Sequence, residues 1–261
     1  MASPQFQIEV LGSGTSSGVP TIGCKCAVCL STDERDKRTR PSILVRYGDR
    51  NVVIDTTPDF RAQVLRSGID HLDAILYTHA HADHILGLDD VRPFNYFQKQ
   101  SIPVHAHAET IHILKRVFAY AFEEQQQSSV PKIEVHEMSE TPFELFGMTF
   151  EPIRLEHGRG LVFGFKFGPV AYLTDHSTIP QASLDKLHGL DVLFLDALRH
   201  RPHPTHSTVS QCLEWIELLK PKQVYFTHMC HDLGHAQTEA TLAPNVRLAY
   251  DGLKIDVEAR A

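Results

Sequence analysis

The chain of 261 residues lacks any run of the ~18 consecutive apolar residues that a membrane-spanning helix requires, so no membrane partner is expected. It also lacks an excess of basic side chains. Lys and Arg number 25 against 32 Asp and Glu, a formal net charge of −7. That weighs against a broad surface for extended nucleic acid, which needs clustered cations to displace counterions. The opening "MASPQFQIEV" has neither a basic n-region nor an apolar h-region, so no secretory signal is expected. Cysteine is scarce, five in all. An odd count without an export signal favours a reducing compartment, by default the cytoplasm, where close thiols more often bind metal than pair with each other. Low-complexity sequence is confined to Glu123–Ser129, and no Pro/Gly-rich linker divides the chain. A single domain over 1–261 is expected.

Histidine is what the chain has in abundance, with 17 residues. Imidazole binds metals and titrates near neutral pH, so position decides its meaning. In "YTHAHADHILG", His79, His81, Asp83 and His84 follow an apolar strand pattern and precede a helix-like run. In an extended turn, residues i and i+2 point the same way. His79 and His81 can share one ion while Asp83 and His84 swing toward a second. Simply buried, such a crowd would repel or go unsatisfied. His157 in "IRLEH", Asp175 in "AYLTDH" and His228 in "VYFTH" each close a further apolar strand pattern. Strand ends are where a rigid scaffold presents functional loops.

Around these residues, alternating apolar runs read as strands and longer periodic runs as helices. A hairpin is expected at Gly48–Asp49 and another at Asp251–Gly252. Thr57 and Pro58 read as a helix start that Gly68 ends, and the run from His84 reads as a helix interrupted by Pro93. "IPQASLDKLHG" and "STVSQCLEWIELLK" read as helices, the latter with Cys212 on its core face. Strands mixed with helices suggest an α/β fold of two packed sheets flanked by helices.

The H-x-H-x-D-H signature, with His157, Asp175 and His228 following in order, resembles the metallo-β-lactamase fold superfamily. The resemblance covers essentially the whole chain. It implies a four-layer αββα sandwich with a dinuclear metal site at one edge of its sheets. It further implies that His79, His81 and His157 hold one divalent ion, that Asp83, His84 and His228 hold the other, and that Asp175 bridges them. Two such ions share a hydroxide and clamp the attacking and leaving oxygens, which gives Asp83 and Asp175 a catalytic part. Imidazole with carboxylate suits Zn, Mn or Fe; manganese or zinc is expected. The resemblance leads one to expect a thiol at the Asp175 position in a true β-lactamase, so Asp175 argues against lactam hydrolysis.

"GVPTIGCKCAVCLS" crowds Cys24, Cys26 and Cys29 into one loop. In "FTHMCHD", His231 stands three residues past His228 and can turn toward that loop. A Cys₃His tetrahedron would be a closed structural zinc site. A redox thiol cluster, or Cys230 as fourth ligand, are the alternatives. The cysteine loop, the intact signature and "THxxH" together resemble the phosphoribosyl cyclic phosphate phosphodiesterases of the carbon–phosphorus lyase pathway. PQQ-biosynthesis B proteins share a similar loop, but their relatives lack the intact signature.

"HST" at His206–Thr208 resembles the proton-donating histidine of the phosphodiesterase branch, which includes the tRNA 3′-endonucleases. His206 is therefore the expected general acid, with Ser207 and Thr208 as helix caps. Arg199, Arg201 and His203 just before it, and Arg92 further upstream, are candidates for binding phosphate. A small phosphodiester is the expected substrate, tRNA 3′ processing and thioester or lactone hydrolysis being the alternatives. Only 17 residues separate His157 from Asp175, too few for the tRNA-gripping arm that the endonucleases insert there. A basic patch around Arg35–Arg40 could replace that arm. A homodimer is left open.

Overall fold

The computed structural model describes residues 5–123 and 129–258. The low-complexity stretch lies mostly outside them. One sheet takes β1 (Gln5–Gly12), β2 (Ser42–Tyr47), β3 (Arg50–Ile54), β4 (Ala74–Leu76), β5 (Ile102–Ala106) and β6 (Ile133–Glu137). The other takes β7 (Phe143–Leu145), β8 (Met148–His157), β9 (Gly160–Phe167), β10 (Val170–Leu173), β11 (Val192–Asp196), β12 (Gln223–Thr227) and β13 (Val246–Leu248). The last strand, β14 (Lys254–Glu258), returns to the first sheet and pairs with β1. The orders are β14-β1-β2-β3-β4-β5-β6 and β13-β12-β11-β10-β9-β8-β7.

Alternation along the strands makes the layers. In β1, Phe6, Ile8 and Val10 enter the core between the sheets while Leu11 joins an outer core. In β11, Val192 and Phe194 face inward, and Leu193 and Leu195 face the second sheet's helices. The first sheet's outer face is covered by α1 (Phe60–Ser67), α2 (Ala82–Ile85), α3 (Arg92–Gln98) and α4 (Ala108–Val117). The second sheet is backed by α5 (Gln181–Leu184), α6 (Val209–Leu219) and α7 (His235–Glu239). The result is the αββα sandwich. No helix among the described residues is long and apolar enough to cross a membrane.

The two sheets repeat one plan that the sequence does not display. Each runs through three antiparallel pairings and then three parallel ones. β3 and β10 occupy equivalent places, and each is followed by an aspartate, Asp55 and Asp175, at positive φ (68° and 54°). The site grows from that equivalence.

Several local expectations need correction. Asp251–Gly252 makes no hairpin: β13 and β14 lie in different sheets, and the turn carries the chain between them. Pro93 does not interrupt a helix but sits in the first turn of α3, where its missing N–H has no partner to lose. Thr57 is not the N-cap of α1; Asp59 holds that place, and the Thr57 Oγ1 accepts from the Asp59 N–H at 3.1 Å. Gly68 ends α1 at φ 74° as expected, and Gly48 turns the β2–β3 hairpin at φ 58°. The "IPQASLDKLHG" stretch yields a helix of only four residues, α5. Cys212 is fully buried on α6.

Candidate metal centre

The loops after β4, β8, β10 and β12 converge at one edge of the sandwich. Donor atoms of His79, His81, His157 and Asp175 lie within 4.8 Å of one another, as do those of Asp83, His84, Asp175 and His228. Asp175 belongs to both groups because its oxygens diverge. Oδ2 lies 3.7 Å from His79 Nε2, whereas Oδ1 lies 3.3 Å from His84 Nε2 and 3.1 Å from His228 Nε2. Asp83 Oδ2 stands 3.4 Å from His84 Nε2 and 3.6 Å from His228 Nε2. Two donors ~2.0–2.1 Å from one ion are ~2.9–3.4 Å apart, close to these separations.

The polar accounting supports the same reading. The buried atoms His79 Nε2, Asp83 Oδ2, His84 Nε2, His157 Nδ1 and His228 Nε2 have no hydrogen-bond partner. Buried polar atoms are rarely left so, and five orphans in one cluster fit divalent cations. Asp175 and His228 take positive φ, 54° and 56°, a strained geometry for non-glycine residues that concentrates at functional sites.

Electrostatics within the cluster are strongly coupled. Burial opposes charge on His84, but Asp175, Asp83 and Asp55 outweigh it and raise its pKa well above the ordinary imidazole value. Burial likewise opposes charge on His228, yet Asp175 and Asp83 lift it to about 9. Burial opposes ionisation of Asp175, and His228 and His84 nevertheless hold it well below the carboxylate range. His79 and His157 are pushed down, chiefly by burial.

Behind the donors stands a layer that the sequence reading missed. Asp55 accepts from His84 Nδ1 at 2.7 Å and is itself held by the Thr78 N–H and hydroxyl at 2.9 and 2.8 Å. Asp196 accepts from His206 Nδ1 at 2.7 Å. Both carboxylates end apolar strands, in "VVIDT" and "LFLDA", the signal that singled out Asp175. Such partners fix the tautomer and aim of an imidazole. His206 is stacked on His228, with ring centroids 4.6 Å apart, and set edge-on to His157 at 4.7 Å. With Nδ1 bound to Asp196, its Nε2 is the nitrogen free to serve the cluster.

Residues 50–229 match the β-lactamase superfamily domain. The chain belongs to that superfamily. The crystal structure of a diphosphatase from the PhnP family shares 51% identity and a TM-score of 0.93 over 98% of each chain. Superfamily membership and this likeness support a metal-dependent hydrolase domain, and the fold implies divalent ions. Zinc-bound PqqB from Methylobacterium extorquens (20% identity, TM-score 0.72, 96% of this chain and 100% of that one) shares the fold. So does human tRNase Z, short form (19%, 0.70, 95% and 98%). An octanoyltransferase from Porphyromonas gingivalis is 36% identical over 96% of this chain but 51% of its own length. The chain thus spans about half of that relative.

A second cluster lies behind the superfamily fold's metal edge. His231 Nδ1 is 3.2, 3.4 and 3.5 Å from the Sγ atoms of Cys24, Cys26 and Cys29. Tetrahedral zinc with bonds of ~2.3 Å to sulfur and ~2.0–2.1 Å to nitrogen sets S···N near ~3.5 Å. A hydrogen bond from the Cys29 N–H lowers the Cys26 thiol to about 6, while burial pushes Cys29 up to about 11. Cys230 stands outside the group. Its carbonyl and that of Leu233 accept from the buried Arg38 guanidinium at 3.1 and 2.6 Å, which ties this loop to the segment between the thiols and β2.

At the rim, the arginines are engaged by neighbouring groups. Arg199 donates to the carbonyls of Arg201 and Pro202 at 3.1 and 3.0 Å, and Arg201 pairs with Asp232 at 2.8 Å. Both order the loop that carries His203 and His206. His203 is at hand, its ring 5.0 Å from that of His206. Arg92 pairs with Asp89 and lines a groove beside α1 and α3 that contains none of the clustered donors. Thr208 is the N-cap of α6, in a capping box with Gln211. Ser207 is no cap: its hydroxyl donates to the His176 carbonyl at 2.6 Å.

Proposed function

We propose that this hydrolase cleaves a small phosphodiester, cyclic or nucleotide-sized, with two divalent ions, Mn or Zn, held by His79, His81, Asp83, His84, His157, Asp175 and His228. The observation that carries the reading is the His206–Asp196 pair set against His157 and His228. When bound, the ions supply Lewis acidity and lower the pKa of water to near neutrality. Asp196 holds His206 with Nε2 toward the reacting phosphate, and His206 delivers a proton to the departing oxygen. His203 is placed to hold a phosphate oxygen beside it. Asp55 and Thr78 keep His84 and His79 aimed. Cys24, Cys26, Cys29 and His231 hold one structural zinc.

The 17 residues between His157 and Asp175 hold β9, β10 and their turns, which supports a small substrate over tRNA. The arginines that might have formed a basic patch are paired: Arg35 with Asp33, Arg38 with Asp36, Arg40 with Asp59. A diphosphate is the second reading, favoured by the diphosphatase that is 51% identical. A thioester is less well served, because a thiolate leaves without the proton that His206 is placed to give. Hydrolysis by the Mn- and Zn-loaded protein of an aryl phosphodiester, cyclic nucleotides, a nucleoside diphosphate, a thioester and a lactone tests these readings. Preference for the thioester or lactone would overturn the proposal.

A further inference from the structure

A cavity of about 160 Å³ opens beside the metal cluster on the side of His79, His81 and His157. None of Asp83, His84, His228, His203 or His206 lines it. Its floor is fixed where the two sheets meet, by the Phe163 N–H donating to the Thr78 carbonyl at 3.0 Å. Phe163 is 2% exposed and, with Leu161 and Ile113, gives the cavity an apolar wall. The rim is polar: His107 caps the start of α4, its ring 5.3 Å from that of Phe163, and Glu109 lies in the first turn. Glu109 is exposed and makes no ion pair or hydrogen bond through its side chain to the described residues.

Resting on the reading above and taken for an acyclic diester, we propose that this cavity receives the substituent that stays on phosphorus, and that it takes an uncharged single ring. Three observations lead there. The acid His206 marks the side on which the leaving group departs, and the cavity lies away from it, with His157 between. The volume is close to the ~150 Å³ that holds one benzene-sized molecule, so a phenyl ring or a pentose fits and a complete nucleoside does not. The lining pairs apolar faces with a few polar groups, the usual composition of a small-molecule site. Glu109 at the mouth accepts hydrogen bonds from hydroxyls but repels an anionic substituent. Glu109 is thus a specificity residue.

The test uses diesters sharing a p-nitrophenolate leaving group and differing in the retained group: methyl, phenyl, ribosyl, thymidyl and 4-carboxyphenyl. The metal-loaded enzyme is expected to favour phenyl or ribosyl over methyl by ~10-fold or more in kcat/KM, within the ~10–200-fold that hydrophobic pockets deliver. The phenyl and ribosyl arms separate an aryl from a sugar occupant. Leu161→Trp should bring the ring-to-methyl ratio near one. Ile113→Trp, from another element, should do the same if the first variant folds poorly. Glu109→Gln should raise the carboxyphenyl-to-phenyl ratio several-fold. A thymidyl diester matching the ribosyl one, or a ring preference that survives both tryptophans, overturns the proposal. Calorimetry with phenyl phosphate and methyl phosphate reads the cavity without turnover. Equal affinities would overturn it, whereas tighter phenyl phosphate in an enzyme inactive on every diester would condemn only the phosphodiesterase reading.

Discussion

One loop feeds both donor clusters. His228 at its start reaches the histidine–carboxylate cluster, and His231 three residues on reaches the three thiols. Yet the two clusters are built differently. The thiol cluster has four protein donors, enough to close a tetrahedron, and no carboxylate among them. The other has seven donors, carboxylates behind its imidazoles, and an open side facing His206 and a cavity. A closed set can only hold structure, whereas an open set can admit a substrate. The difference is sharpest at Asp175, whose two oxygens serve both halves of the open cluster. Asp175→Ala should therefore have the largest effect, removing metal by elemental analysis and cutting turnover by more than the ~10–100-fold typical of losing an outer partner. Unchanged metal content and activity would show that the two halves do not share that residue.

His206 separates chemistry from metal binding within the open cluster. His206→Ala should keep the metal content but lower kcat by ~10²–10⁴ on diesters with a poor alkoxide leaving group. Activated aryl diesters, and a diphosphate whose departing phosphate needs less protonation, should lose much less. Equal losses would remove the acid role. Asp196→Asn, which leaves the His206 ring in place but misaligns its proton, should give a smaller deficit of ~10–100-fold with the same leaving-group bias.

The closed cluster should respond in stability rather than turnover. Cys26→Ser removes one thiolate from the tetrahedron and should lower zinc content by one ion per chain. Each kcal/mol lost shifts the melting temperature by about 2–4 °C for a chain of this size. A fall of several degrees is expected, with kcat retained at temperatures where the protein stays folded. Because Arg38 grips the loop at Cys230 and Leu233, His228 should keep its place when the thiol site is weakened. Free alkylation of all three thiols in the folded, metal-replete protein would refute the closed site.

The convergence of the candidate donors was legible because apolar runs stop abruptly at His or Asp, and strand ends are where a rigid scaffold presents functional side chains. The sandwich was legible because strand alternation splits residues such as Val192–Leu195 between two faces. What supports the donors was not. Asp55 and Asp196 carry the same strand-end signal as Asp175, but nothing local says that one aspartate points to a metal and another to the back of an imidazole. The arginines make a related point. A sequence shows the charge of Arg199 and Arg201 but not the carbonyls and the Asp232 carboxylate that occupy them. The turn at Asp251–Gly252 has hairpin chemistry, yet tertiary packing sends its flanks to separate sheets.

A histidine outside both clusters gives the reference against which they can be judged. His105 on β5 lies flat between His136 of β6 and Phe143 of β7, with centroids 4.7 and 5.1 Å away. Burial, and after it the neighbouring His136, lowers its pKa to about 4. An unfolded chain protonates this side chain near the ordinary value of ~6.5. Between those limits the unfolded state binds the extra proton and the native state does not. Stability from this group is therefore complete above the unfolded pKa and falls as pH drops toward 4. The slope contributed by one proton cannot exceed ~1.4 kcal/mol per pH unit. His105→Phe keeps the stack and deletes the titration, so its stability should decline less than the parent's between pH 6.5 and 4.5 in denaturant titrations. Identical pH profiles for parent and variant would mean that His105 charges freely, and that burial alone does not suppress protonation at this edge of the sheet.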